Sequence, residues 1–338
     1  MTSASGAESR PCIAVLGERV IDLVPDDHGS GFHAHPGGSP ANVALGLARL
    51  GVRPLLLGRR AADAFAGLLD DNLTASGLSL EGFIEGGGLS ILAVCSRHPD
   101  GSMSYSFYTA ESPDLQWSES DVQTALQRIT TSGSIAWHTG SLVSWLGSDV
   151  STLLKAWQEA RRAGQVTLSY DPNARPQALD SESTRAWVEQ FALSAHLVKA
   201  SDEDIAYCYP NEDVEQVCAR WARSGPVIVV LTRGSRGTTV WQRGYEPIDV
   251  PGFTVDVVDT VGAGDTLTAG LLAGLAPWLG PGGEEALAGL DPGDLRRIVE
   301  GAVVAAAITC SRPGADPPTL KERDRLWAQW MPEQEKSD

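Results

Sequence analysis

The residues of this chain best suited to chemistry are Asp265 and the small residues just before it, in the stretch Val258-Asp259-Thr260-Val261-Gly262-Ala263-Gly264-Asp265-Thr266. Glycine keeps side-chain bulk out of the turn. The run that follows puts Leu267, Leu271 and Leu275 on one face at four-residue spacing, which predicts a helix. A helix that starts at such a turn presents unpaired backbone N–H groups and the positive end of its dipole, so the amides of Gly262, Ala263 and Gly264 suit an anion. A carboxylate at the rim of an anion site suits a base that takes a proton from a hydroxyl attacking a phosphoryl group. The plainer alternative is that Asp265 caps the helix. A side chain at Gly264 is expected to be excluded by a positive φ and by the space a phosphoryl oxygen needs. The turn is not a Walker A loop, because no Gly-Lys-Ser/Thr follows, and it lacks the third glycine of a dinucleotide fingerprint.

A second glycine element lies near the N-terminus, in Pro36-Gly37-Gly38-Ser39-Pro40-Ala41-Asn42-Val43-Ala44. Gly37 and Gly38 let a ligand approach the backbone, and Asn42 offers both a donor and an acceptor to hydroxyls. Together the two elements resemble the ribokinase-like (PfkB-type) sugar kinases, closest in pattern to fructokinases. Asp259 to Thr266, with Ala269-Gly270 after it, is similar to that family's C-terminal signature, and Gly37-Gly38 with Asn42 to its sugar-binding element. The resemblance implies ATP-dependent phosphorylation of a sugar hydroxyl, with Asp265 as base and the Gly262–Gly264 turn as anion hole. It further implies sugar contacts from Asp22, Gly37, Gly38, Asn42, Arg175 and Asp259, and nucleotide contacts from Thr232, Gly234, Gly237 and Val303. Magnesium is expected near Asp204 through water, and a monovalent cation, potassium in many relatives, at Asp259 and Gly314.

Other segments follow the same pattern with departures. Asp171-Pro172-Asn173-Ala174-Arg175 resembles the Asp-Pro-Asn-x-Arg element most familiar in fructokinases, and Ser201 and Asp204 stand in the positions of the family's Asn-x-x-Glu. Ala61 replaces a glycine in Gly58-Arg59-Arg60-Ala61-Ala62-Asp63, where Arg59 is expected to point at phosphates. Thr109 replaces an arginine that ends a lid strand in fructokinases, Val303 an asparagine, and Pro318 a hydroxyl residue of the cation loop. Two alternatives stand beside the sugar kinase. A nucleoside kinase would need an aromatic wall, for which Trp145, Phe107 and Tyr108 are available. A non-catalytic sugar sensor would have no need for a base beside an anion hole.

These residues must be positioned by a larger frame. Short apolar runs alternate with helical stretches, which argues for α/β architecture, and the resemblance specifies a ribokinase-like three-layer sandwich with a mostly parallel central sheet and a small β lid. The expected boundaries are residues 1–24, 37–87 and 111–338 for the core and 25–36 and 88–110 for the lid. A turn at Pro99-Asp100-Gly101 makes the second lid segment a hairpin, and a homodimer through the lid is expected. With 43 acidic against 26 basic residues the 338-residue chain carries a net charge of −17, which disfavours nonspecific nucleic-acid and anionic-membrane binding. Five scattered cysteines without a CxxC pair indicate neither a disulfide framework nor a zinc site. No signal-peptide pattern or membrane span is read, and a cytoplasmic location is expected. His28, His33 and His35 with Asp26 and Asp27 read as a solvated hairpin and receive no catalytic role.

Overall fold

The computed structural model describes residues 10–26, 31–97 and 103–334. The first strand shows how the core is organised. All of β1 (Cys12–Leu16) is buried, and its alternate side chains divide between two apolar clusters, Ala14 and Leu16 in one, Ile13 and Val15 in the other. A strand buried on both faces belongs inside a parallel sheet covered by helices on each side.

The elements follow in chain order: β2 (Val20–Pro25), β3 (Phe32–Gly37), α1 (Ser39–Arg49), β4 (Arg53–Arg60), α2 (Ala64–Ala75), β5 (Phe83–Glu85), β6 (Ile91–Arg97) and β7 (Met103–Tyr108). Then come α3 (Glu119–Thr131), β8 (Ser134–Gly140), α4 (Val150–Ala163), β9 (Thr167–Asp171), α5 (Ser181–Leu193), β10 (Leu197–Ser201), α6 (Asp202–Cys208) and α7 (Val214–Ser224). The chain closes with β11 (Ile228–Thr232), β12 (Thr238–Gln242), β13 (Ile248–Val250), α8 (Ala263–Leu275), α9 (Gly283–Ala288), α10 (Pro292–Cys310) and α11 (Leu320–Gln334). The large sheet runs β13-β12-β11-β10-β9-β8-β1-β4-β5, parallel from β11 through to β5 with β12 and β13 antiparallel at one edge. One cluster packs α3, α4, α5, α6 and α7 against it and holds Trp117, Trp137, Trp145, Trp157 and Trp221; the other packs α1, α8 and α10 on the opposite face. The architecture is the expected three-layer sandwich.

A separate four-stranded sheet has the order β3-β2-β6-β7, in which β6 and β7 form the expected hairpin. Its first strand begins at Val20, so residues 20–24, placed with the core from the sequence, belong to this sheet. Only Gly17-Glu18-Arg19 separates two apolar strands there, too short a break to read as a change of sheet. The turn at Pro99-Asp100-Gly101, like Asp27 and His28, lies outside the described residues. His33 and His35 stand exposed on β3 with ring centroids 6.4 Å apart.

Arg19 pins the joint between the two sheets. Its buried guanidinium donates to Asp70 of α2 at 2.6 Å and lies 4.1 Å from the centroid of Phe83, while Arg60 bonds the other Asp70 oxygen and Glu85. Among the described residues no helix is long and apolar enough to cross a membrane.

Candidate active site

The glycine-rich turn folds as its composition demands. Gly262 is the N-cap of α8 at φ 76, in the left-handed region that L side chains avoid. Asp265 lies in the first turn beyond it, and its carboxylate caps nothing: Oδ1 accepts from Ser39 Oγ at 2.6 Å and Oδ2 from Asn42 Nδ2 at 2.8 Å. Both donors sit in the first turn of α1. That helix reaches α8 because Gly46 faces Ala269 so closely that a Cβ on Gly46 would stand 2.7 Å from the alanine methyl. Gly264 differs from expectation, since its φ is not positive. Its constraint is space, because a Cβ there would stand 3.0 Å from Lys199 Nζ.

Lys199 was not anticipated as a site residue, although a lysine inside the apolar strand Leu197-Val198-Lys199-Ala200 is itself a signal. Its ammonium is buried and donates to Asp171 Oδ2 at 3.0 Å; Thr268 of α8 donates to the same oxygen at 3.2 Å. Burial works against the charge, but Asp171 and Asp204 more than offset it and hold the lysine above its ordinary pKa. A fixed cation therefore lies beside the turn, in which the Ala263 N–H, expected to face an anion, instead donates to the Thr260 carbonyl at 3.3 Å. Ser39 left no signal in the sequence, because a hydroxyl at a helix start reads as a cap.

The expected sugar-side residues gather on the other flank of Asp265. Asp22 sits in the middle of β2, opposite His35 on β3. Burial pushes its carboxyl up to about 6; Arg175 opposes that shift and Asp265 adds to it, so the three charged groups share one region. Tyr105 of β7 extends the region, its phenol raised to about 12 mainly by burial, with Asp22 and Asp259 contributing. Gly37 ends β3 and Gly38 is the N-cap of α1. Arg175 follows β9 on a loop held by Asn173 at φ 39, whose N–H bonds Asp171 and whose amide bonds Ser141.

Asp204, expected near magnesium, is buried and forms a capping box with Ser201, its Oδ2 accepting from Ser201 N–H at 2.8 Å while Oδ1 accepts from Ala174 N–H at 2.7 Å. It thereby fixes the loop that carries Arg175. Asp259 accepts from Val261 N–H at 3.0 Å and from Gly314 N–H at 2.8 Å, which brings the two residues expected at a monovalent cation together. Arg49 and Arg312 both hold Asp316 in that loop. Thr232 closes β11, Gly234 and Gly237 bracket a single tight turn after it, and Val303 packs into the apolar cluster on α10. Arg59, expected to face phosphates, instead pairs with Asp121 of α3 at 3.4 Å. Trp145 is fully buried with its indole N–H on the Pro172 carbonyl at 2.9 Å, and Tyr108 is exposed on the opposite face of its sheet from Tyr105, so neither lines an acceptor pocket.

With the geometry in place, comparisons with known proteins are specific. Residues 11–322 match the profile described as pfkB family carbohydrate kinase. A probable fructokinase-4 from Arabidopsis thaliana is 30% identical over 338 residues, covering 96% of this chain and 99% of the relative. A fructokinase-2 from Oryza sativa subsp. japonica is 31% identical over 285 residues, covering 81% and 83%. Among solved structures, a fructokinase with bound ATP from Xylella fastidiosa superposes with a TM-score of 0.83 at 26% identity, over 97% of this chain and 99% of that one.

Proposed function

This chain belongs to the pfkB family of carbohydrate kinases, and from that premise we propose that it transfers the terminal phosphoryl group of ATP to a hydroxyl of fructose or a closely similar ketose, with Asp265 as the base. The protein is an ATP-dependent sugar kinase of the fructokinase type. The observation that carries the residue assignment is the placement of Asp265 in the first turn of α8, held by Ser39 and Asn42 and close enough to Lys199 and Asp22 to share their electrostatics.

In this reading Asp22, Asn42, Arg175, Gly38 and Asp259 orient the sugar, and Thr232, Gly234, Gly237 and Val303 line the nucleotide. Asp265 takes the proton of the attacking hydroxyl as the hydroxyl oxygen bonds to the terminal phosphorus of ATP and the bond from that phosphorus to the bridging oxygen breaks, releasing ADP. The amides of Gly262 and Gly264 and the ammonium of Lys199 stabilise charge that builds on the transferred group. Phosphoryl transfer asks little covalent participation of a protein, so most of the acceleration comes from holding two reactants in line. The small sheet covers the sugar and keeps out water, which would otherwise compete as acceptor. Lid residues Phe32 and Tyr108 are exposed on it, which supports a homodimer through this sheet.

Magnesium bound with the nucleotide would neutralise its phosphate oxygens. Asp204 fits an outer role toward it, since each of its oxygens accepts one amide and keeps a lone pair for a metal-bound water. Asp259 fits a monovalent cation in the same way, but Pro318 has no hydroxyl to add. Four free cysteines in the buried core support a reducing, cytoplasmic setting.

The test is purified protein with ATP and magnesium, offered fructose, ribose, 2-keto-3-deoxygluconate and adenosine. Fructose should give the highest kcat/KM. Preference for adenosine would overturn the sugar-kinase assignment, and a preference for another sugar would overturn the ketose alone.

A further inference from the structure

Asp265 carries the chemistry in the reading above, and a carboxylate is a good base only if it is turned correctly. The torsion that spins a carboxyl group is broad and roughly two-fold, so one contact leaves its plane free. Here both oxygens are engaged, and both donors come from one turn of one helix. Ser39 and Asn42 are three residues apart on α1, a spacing that puts them on the same face. The Ser39 contact is the shorter, 2.6 Å against 2.8 Å, in the range of a hydroxyl donating to a charged carboxylate. It is also a contact the local helix does not ask for: α1 has Gly38 as its N-cap and no side-chain cap bond.

We infer that Ser39 is a positioning residue for this kinase, its hydroxyl fixing the Asp265 carboxylate so that a remaining lone pair faces the acceptor hydroxyl. The inference rests on Asp265 being the base. Asn42 is also proposed to contact the sugar; Ser39 is not, so its removal tests the hold on Asp265 without removing a proposed sugar contact. The bond reaches across 226 residues of sequence and joins the sugar-binding element to the catalytic turn.

The surroundings give the inference a second readout. Burial raises the Asp265 pKa, the bonds from Ser39 and Asn42 lower it, Asp171 of β9 raises it and Lys199 of β10 lowers it; Asp22 of β2 is the remaining charge that feels it. Without the Ser39 hydroxyl one stabiliser of the ionised form is gone. The carboxylate then protonates at higher pH, and the acid limb of the rate profile moves up.

The experiment compares Ser39→Ala and Ser39→Thr with the unaltered enzyme, using ATP with the best acceptor from the panel. For Ser39→Ala we expect kcat to fall about 10- to 100-fold, the worth of one hydrogen bond to a charged group. The KM for ATP should stay put, the acid limb of kcat should move to higher pH, and Ser39→Thr, which keeps the hydroxyl, should restore both. An unchanged kcat, an unmoved acid limb, or a loss confined to the acceptor KM overturns the inference. Asp265→Asn is run alongside. If it keeps turnover, the base assignment itself has failed; if it is inactive while Ser39→Ala behaves as wild type, only the role of Ser39 is lost.

Discussion

Asp265 must be ionised to accept a proton, yet it is partly buried with Asp171 and Asp22 nearby. The acid limb of kcat should therefore lie above the ordinary range of an aspartate, with activity falling as pH drops through the raised pKa. Asp265→Asn should lower turnover roughly 10²- to 10⁴-fold, the usual worth of a positioned base, while nucleotide binding measured by calorimetry persists. Turnover near that of wild type on the best sugar would remove the base from the mechanism. Gly264→Val should weaken ATP binding and turnover together, for a reason other than backbone strain: the new side chain would displace the Lys199 ammonium. Normal ATP affinity in that variant would mean the turn is only structural. Asn42→Ala should raise the acceptor KM and lower kcat as well, because the amide also holds Asp265. A rise in ATP KM alone would place Asn42 on the wrong side of the cleft. As candidates, Asp265, Asn42 and Arg175 are legible because their residue types and motif order announce them. Ser39 is not, and Lys199 shows only as a charge inside an apolar strand, because their partners Asp265 and Asp171 come from distant elements.

Among the elements, α2 and β6 are joined by one carboxylate. Asp63 Oδ1 accepts from Phe65 N–H, Ala66 N–H and Ser90 Oγ, and Oδ2 accepts from Ser90 N–H just before β6. Burial opposes its charge, but these bonds hold its pKa below the usual value. A depressed folded pKa gives stability that is present above the unfolded pKa and lost as pH falls through the folded one. Asp63→Ala should lower stability in urea melts by about 1 kcal/mol at neutral pH, with a smaller difference in strong acid. An equal cost at both extremes would show that the carboxylate acts only through packing. Thr109, just beyond β7, tests specificity: Thr109→Arg should raise the preference for fructose over its competitors, and an unchanged ratio would put the residue outside the acceptor pocket. Most strands could be read from apolar runs closed by polar turns. The assignment of β2 to the small sheet could not, because register with β3 and β6, not its own residues, decides it.

For the whole molecule, the joint between the two sheets depends on a buried charge. Asp70→Leu should cost roughly 3–5 kcal/mol by leaving the Arg19 guanidinium unpaired, whereas the double change of Arg19 and Asp70 to Leu should recover most of that loss. Comparable destabilisation in the single and double variants would mean that the pair acts through volume rather than charge. The uneven placement of tryptophan between the two helical layers has an optical consequence. Trp137 and Trp157 meet edge to face at 5.0 Å in the same layer as Trp117, Trp145 and Trp221, so ultraviolet emission and near-ultraviolet dichroism will chiefly describe that side of the sheet. Trp145 is tied through Pro172 to the loop of Arg175, which gives acceptor binding a fluorophore of its own. The α10 side has its own indole, since Trp327 of α11 lies 3.6 Å from where a Cβ on Gly301 would stand. A titration followed by intrinsic fluorescence will thus follow acceptor binding through Trp145 and changes along α10 through Trp327, two built-in dyes on opposite faces of one sheet.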